Sequence, residues 1–384
     1  MKALKHLNKY LLKYKFRLLL GVLFVVISNI FGLYPAQIIR ETFNLVESKL
    51  SGKVIESSSF FGDLFNELSF GKAILAFGGV VFALAIAKGI FTFFMRQTII
   101  IMSRLIEFDL KNEIFNHFQH LDTSFYKENN TGDIMNRISE DVSKVRMYLG
   151  PGIMYTANLI TLFALVIPVM FSINVKLTLY SLTPLPILSI IIYFVSNRIN
   201  KQSEQVQAKL SDITTLSQET YSGIRILKSF VKEALFISKL NNENEAYRDN
   251  SMNLVRTNAV FFPVMMLLIG LSTIFTIYIG GLEYINGNIT LGNILEFVFY
   301  INMLTWPVTA IGWVTSIIQR AAASQKRINE FLSTPSKIKN PSNEHFDLKG
   351  NIKFKEVSFT YPESGITALK NISFEIKQGE TLAI

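Results

Sequence analysis

Apolar residues dominate six stretches of the chain, at Leu18 to Ile39, Ala73 to Met95, Met147 to Phe171, Leu177 to Val195, Val260 to Gly280 and Leu291 to Ile318. A helix of roughly 20 residues crosses the about 30 Å of bilayer hydrocarbon, and each stretch is near or above that length. The pattern predicts an all-α transmembrane fold of six helices. The first stretch has a longer apolar core than a cleavable signal and no small-residue cleavage site behind it, so it is expected to remain as a span.

Two long connections, Arg96 to Arg146 and Asn197 to Asn258, have the composition of neither a separate domain nor a disordered linker. In the first, Leu105, Ile106, Leu110, Ile114, Phe115 and Phe118 recur at helical spacing, and Ile213 to Phe230 repeats that rhythm. The spans are expected to run on as paired struts, roughly 25 residues projecting nearly 40 Å at about 1.5 Å per residue. Turn chemistry marks their tips. Asn129 to Asp133 breaks the first, where Thr131 or Asp133 is expected to cap a short helix, and Gly223 interrupts the second. A plain surface turn explains either break as well.

Beyond Arg320 the rhythm changes. Ala321 to Leu332 predicts an amphipathic helix, Ser333 to Asn343 a linker, and Asn351 to Phe359 and Ala368 to Ile376 two strands, with a third from Thr381 to Ile384 after the turn Gln378-Gly379-Glu380. Three regions follow: a transmembrane domain over 1–320, a connecting helix and linker over 321–350, and the start of an α/β domain over 351–384.

Composition narrows the class. With 49% apolar and 17% charged residues and a mean hydropathy of +0.32, collagenous and disordered chains are excluded. The absence of cysteine rules out disulfides and thiolate metal sites. His117 and His120, three apart without carboxylate or cysteine support, give no expected metal site. The net charge of +9 is placed unevenly. Lys2, Lys5, Lys9, Lys13, Lys15 and Arg17 crowd the start, while Glu41 to Gly71 balances its cations with Glu41, Glu47, Glu56, Asp63 and Glu67. The positive-inside rule then puts the N-terminus, both long connections and everything after Arg320 in the cytoplasm. Such placement indicates attraction to anionic membrane lipid and no nucleic-acid partner. On the outer side, Phe60, Phe61, Leu64, Phe65 and Leu68 suit an amphipathic helix in the interface.

Within the spans two charges stand out. Lys88 either faces a cavity and attracts an anionic head group, or snorkels to the inner interface. Glu296 is either an outer-cavity contact or a solvated mouth residue. Phe299, Tyr300, Trp306 and Trp313 either line a substrate path or pack. Pro35, Pro168, Pro184, Pro186, Pro263 and Pro307 read as kinks accommodated by neighbours. A channel, secondary transporter or sensor also fits six spans, but secondary transporters pair intramembrane carboxylates with a coupling ion, and Glu296 is alone.

Five motifs, taken in order, carry a family resemblance. Phe125 to Val142 (FYKENNTGDIMNRISEDV) and Gln218 to Glu233 (QETYSGIRILKSFVKE) are similar to the two coupling-helix regions of ATP-binding-cassette (ABC) exporter half-transporters of the lipid and multidrug type. Ala321 to Leu332 resembles that family's joining helix, with Ser324 and Arg327 at matching positions. Val357 to Pro362 resembles its adenine-stacking loop, Tyr361 being the aromatic position, and Gly379 to Ile384 resembles the strand that leads to its phosphate loop. The resemblance spans the whole chain. It implies coupling contacts at Thr131, Gly132, Asp133, Arg137, Glu219, Gly223 and Arg225, and a substrate cavity for which Lys88, Glu296 and Trp306 are candidates. It further implies ATP and Mg2+ as cofactors, a second half-transporter as partner in a homodimer, hydrophobic or amphipathic cargo and a place in the cytoplasmic membrane. The phosphate-loop pattern G-x-x-x-x-G-K-[ST] does not occur in the chain. The chain as given is therefore expected to be cut before that loop and not to hydrolyse ATP, its full-length parent being the ATPase. An inactive half that serves an active partner is the rival reading.

Overall fold

A computed structural model describes residues 2–51, 70–336, 338, 350–361 and 364–383. It divides into two compact units, Met1–Thr334 and Pro335–Ile384. In the first unit a 3-10 turn (Lys2–Leu7) and a short helix α1 (Asn8–Lys13) precede α2 (Lys15–Ser51) and α3 (Phe70–His120). Two six-residue helices follow, α4 (Thr123–Glu128) and α5 (Thr131–Asn136). A π-helical turn at Arg137–Asp141, α6 (Val142–Met147), a second π-helical turn at Tyr148–Gly152 and α7 (Ile153–Ile173) come next. The unit closes with α8 (Val175–Leu182), α9 (Pro184–Ser222), α10 (Ile224–Ser229), α11 (Glu233–Ile285) and α12 (Leu291–Leu332).

Among the described residues, six helical stretches are long and apolar enough to cross a membrane, and each contains one predicted span. The chain is a multi-pass membrane protein. Its helices outrun the hydrocarbon: α11, at 53 residues, extends about 80 Å at 1.5 Å per residue. Large apolar side chains such as Leu75, Phe82, Phe262 and Met266 are exposed on α3 and α11, as lipid-facing surfaces require.

The helices pair α2 along α3 and α9 along α11, and α12 touches both pairs. One core draws Leu33, Val166, Leu188, Leu268, Phe297 and Tyr300 from α2, α7, α9, α11 and α12. A second joins the N-terminal turn through Leu7 to Ile106 and Ile114 of α3, Val145 of α6, and Ile328 and Phe331 of α12. Ala321 to Leu332 is thus the continuation of the sixth span's helix, because Ala321, Ser324, Ile328 and Phe331 stay buried along one face. Interhelical hydroxyl pairs, which lipid cannot replace with water, lock two seams: Ser28 Oγ with Thr92 Oγ1 at 2.9 Å and Ser181 Oγ with Thr276 Oγ1 at 2.8 Å. At the start of α12 only glycine fits, since a Cβ on Gly292 would collide with the backbone oxygen of Arg40.

In the second unit β1 (Ile352–Thr360) pairs antiparallel with β2 (Thr367–Ile376), with Phe354 opposite Phe374 and their rings stacked at 4.4 Å. Glu356 and Asn371, at φ of 48° and 53°, accompany the register shifts. The expected third strand is not formed over Thr381 to Ala383, because β1 and β2 pair only with each other among the described residues. The outer segment with Phe60 to Leu68, most of the linker, Pro362 and Ile384 lie outside the described residues.

Candidate functional site

Lys88, Thr92, Met95 and Arg96 recur at helical spacing on α3 and meet Ser28 and Asn29 of α2. Met154, Tyr155 and Asn158 of α7 and Met303 and Trp306 of α12 close the space, leaving a cavity of about 300 Å³. One side is polar: Ser28 and Asn29 are buried, and the Asn29 amide donates to the Asn158 carbonyl at 3.5 Å. The other is aromatic: the Tyr155 ring lies 5.5 Å from Trp306 and 5.2 Å from Trp313. The Lys88 stem crosses α2 at Gly32, where a Cβ would stand 3.0 Å from Nζ. Lys88 therefore turns toward the bundle, and the structure brings it together with Trp306 at one cavity. Arg96 belongs to the same lining, and its place on the Lys88-Thr92-Arg96 stripe was the available sequence signal.

Glu296 is elsewhere. Fully buried, with 0% exposure, it accepts from Arg40 Nη1 at 3.0 Å, Tyr300 Oη at 2.6 Å and Asn293 Nδ2 at 3.4 Å. Arg40 also reaches Glu41, through Nη2 at 2.9 Å. Neither a cavity contact nor a solvated mouth residue, Glu296 is the buried anion of an α2–α12 network.

At the first strut tip the cap is Asn130, whose Oδ1 accepts from the Gly132 amide at 2.9 Å. Thr131 and Asp133, the expected caps, lie inside α5, and Asp133 pairs instead with Arg137 at 2.7 Å. Ile134 anchors the helix in the second core, and the Arg137 guanidinium sits 5.7 Å over the Phe331 ring. A buried carboxylate that sequence reasoning passed over ties this region to α12. Asp141, inside the FYKENNTGDIMNRISEDV segment, accepts from Ser324 Oγ at 2.8 Å and Arg327 Nε at 3.0 Å. The hydrogen bond to Asp141 raises the Arg327 pKa, desolvation opposes it, and the Asp141, Asp133 and Glu140 charges add to the rise.

At the second tip Gly223 ends α9, its amide donating to the Glu219 carbonyl at 2.9 Å. Arg225 lies on the six-residue α10, and Glu219, Arg225, Tyr221, Ile226 and Phe230 are exposed there. In the second unit Tyr361 is 49% exposed. It meets the Phe359 ring edge-on at 5.1 Å. The described residues include no group of three or more His or carboxylate side chains able to hold a metal.

The family model for the ABC transporter transmembrane region matches residues 18–308, and the chain belongs to that family. It is 29% identical over 372 residues to the "Probable multidrug resistance ABC transporter ATP-binding/permease protein YheI" of Bacillus subtilis (strain 168), covering 94% of this chain and 63% of that protein. It is 27% identical over 390 residues to the "Multidrug resistance-like ATP-binding protein MdlA" of Buchnera aphidicola subsp. Baizongia pistaciae (strain Bp), covering 100% and 64%. MdlA of Escherichia coli (strain K12) is 27% identical over 277 residues, covering 72% and 47%. The chain thus spans just under two thirds of the length of the first two of these relatives.

Proposed function

We propose that this chain is the membrane half of an ATP-driven exporter that moves lipids, drugs or other amphipathic compounds across the cytoplasmic membrane. One observation carries the reading: in a chain of this family, four helices converge on a cavity with a polar floor, an aromatic wall, Lys88 and Trp306. Such a lining suits a cargo with a polar head and an apolar body. The N-terminus and both strut tips are read as cytoplasmic. Two chains, taken as a homodimer, form the complete path. The tip residues Thr131, Gly132, Asp133 and Arg137, and Glu219, Gly223 and Arg225, serve as contacts to nucleotide-binding domains, and the exposed Tyr221, Ile226 and Phe230 supply apolar surface for docking.

ATP with Mg2+ supplies the free energy in the full-length parent. In this chain Tyr361 is the residue that fits the nucleotide, through its half-exposed ring, and phosphate and metal contacts are assigned to no described residue. Exposure of the cavity then alternates between the two membrane faces by population shift, the parent binding ATP more tightly in one state than in the other. Reconstitution of the parent in proteoliposomes tests this. ATP-dependent movement of an amphipathic dye, with amphiphile-stimulated and vanadate-sensitive ATPase activity, is expected; ATP hydrolysis without movement would contradict it.

A further inference from the structure

Charge around the cavity is one-sided. Among the described residues Lys88 and Arg96 line it, no Asp or Glu does, and neither cation has a carboxylate partner. The acids further along the same helix are already committed: Glu107 to Arg104, Asp109 to Lys13, Glu113 to Lys9. Both side chains are exposed at the space they line, so an incoming anion meets two cations without first displacing an ion pair and gains charge-assisted hydrogen bonds. Nor is Lys88 extended along the lipid: its stem passes over Gly32 toward α2. Eight residues of helix separate Lys88 from Arg96, about 12 Å along the axis, so two long side chains reach one head group from either end. Between them Ser28, Asn29 and Thr92 offer neutral polar groups, and Tyr155, Met303 and Trp306 an apolar wall.

We infer that the cavity selects anionic amphiphiles, a phosphate, sulfate or carboxylate head held between Lys88 and Arg96 with the apolar body against Tyr155 and Trp306. The inference rests on the export reading and narrows its cargo by charge.

Occupancy is measurable without ATPase activity. The chain has two tryptophans, Trp306 and Trp313, both against Tyr155, so brominated amphiphiles quench their fluorescence on entry. Trp306→Phe gives the background. In nanodiscs of zwitterionic lipid, a brominated alkyl phosphate is expected to half-quench at about one tenth the concentration needed for a brominated alkylphosphocholine or alkyltrimethylammonium. Lys88→Gln and Arg96→Gln each raise the half-quenching concentration of the phosphate about tenfold, the order expected for one charge-assisted hydrogen bond, and leave that of the phosphocholine unchanged. Lys88→Arg restores the preference. Equal quenching by all three probes overturns the assignment, as does a Lys88→Gln variant with unaltered selectivity. Charge-selective quenching without amphiphile-stimulated ATPase in the parent supports the anion site and counts against export. Stimulation by all three probes with unselective quenching overturns the anion site and leaves export standing.

Discussion

Glu296 and Arg40 provide a sharp perturbation, because each is held by a different number of other partners. Replacing Glu296 with Leu leaves Arg40 its contact with Glu41 at 2.9 Å, and the Arg40 side chain is 17% exposed. The buried Tyr300 hydroxyl, however, loses its acceptor. Removal of one partner from a buried pair costs about 3–5 kcal/mol when the other charge is stranded. Retention of Glu41 lowers that for Glu296→Leu to about 1–2 kcal/mol, and the orphaned hydroxyl adds about 1–2 kcal/mol, giving about 2–4 kcal/mol. Arg40→Leu strands Glu296 at 0% exposure with neutral donors only, so its cost is expected at the top of the about 3–5 kcal/mol range. While Glu41, 4% exposed, loses Arg40 in it just as in Arg40→Leu, the double variant removes the unpaired charge of the Arg40–Glu296 contact. It should be less destabilised than the sum of the two by about 1–3 kcal/mol. Reversible unfolding in mixed detergent micelles, read by helical circular dichroism for the four proteins of the cycle, measures this coupling. Additivity to within about 0.5 kcal/mol, or Glu296→Leu costing more than Arg40→Leu, would refute the network as described.

Three further outcomes follow from other sites. Asp141→Asn, which removes the charge facing Arg327 and Ser324, should lower stability by about 1.5–3 kcal/mol, checked by thermal unfolding, while Asp133→Asn at the exposed Arg137 pair should cost less than about 1 kcal/mol. Glu113 titrates below the ordinary carboxylate value of 4.5: burial raises its pKa, but hydrogen bonds from Lys9 and Tyr10 and the Lys9 and His6 charges outweigh it. A depressed folded-state pKa contributes stability that is present above 4.5 and is lost as pH falls through the lower folded value. Protection factors of the α1 amides, corrected for intrinsic exchange, should therefore fall below that range, and Glu113→Gln should abolish the dependence. In the full-length parent, Tyr361→Ala is expected to weaken nucleotide binding by about 1–3 kcal/mol, measured by equilibrium titration, with Tyr361→Phe near wild type.

The spans were legible because hydrocarbon imposes its period on the sequence: 20 apolar residues leave one solution for the backbone. The struts were legible for the same reason, Leu105 to Phe118 keeping the helical spacing of a buried stripe. Caps were less so. Asn129, Asn130, Thr131 and Asp133 all belong to capping residue types, and only φ and ψ of −70° and 128° at Asn130 decide among them. Ala321 to Leu332 looked separate because its polar face resembles a soluble helix, yet no breaker divides it from the sixth span. Glu296 was misplaced because its partner Arg40 lies 256 residues away, a pairing no local pattern contains. Asp141 escaped notice for a related reason, as its partners come from the far end of α12. Lys88 and Trp306 were both candidates, but their meeting at one cavity depends on how α2, α3, α7 and α12 pack.

Alternating access to that cavity is directly measurable, because these 384 residues contain no cysteine and any cysteine elsewhere in the full-length parent can be replaced with serine. A single cysteine at Asn158, on the cavity lining, is labelled with a membrane-impermeant maleimide added to one face of proteoliposomes holding the full-length parent. Labelling is expected from the face that carries the N-terminus without nucleotide, and from the opposite face with ATP and vanadate. Labelling from the same face in both conditions would contradict it.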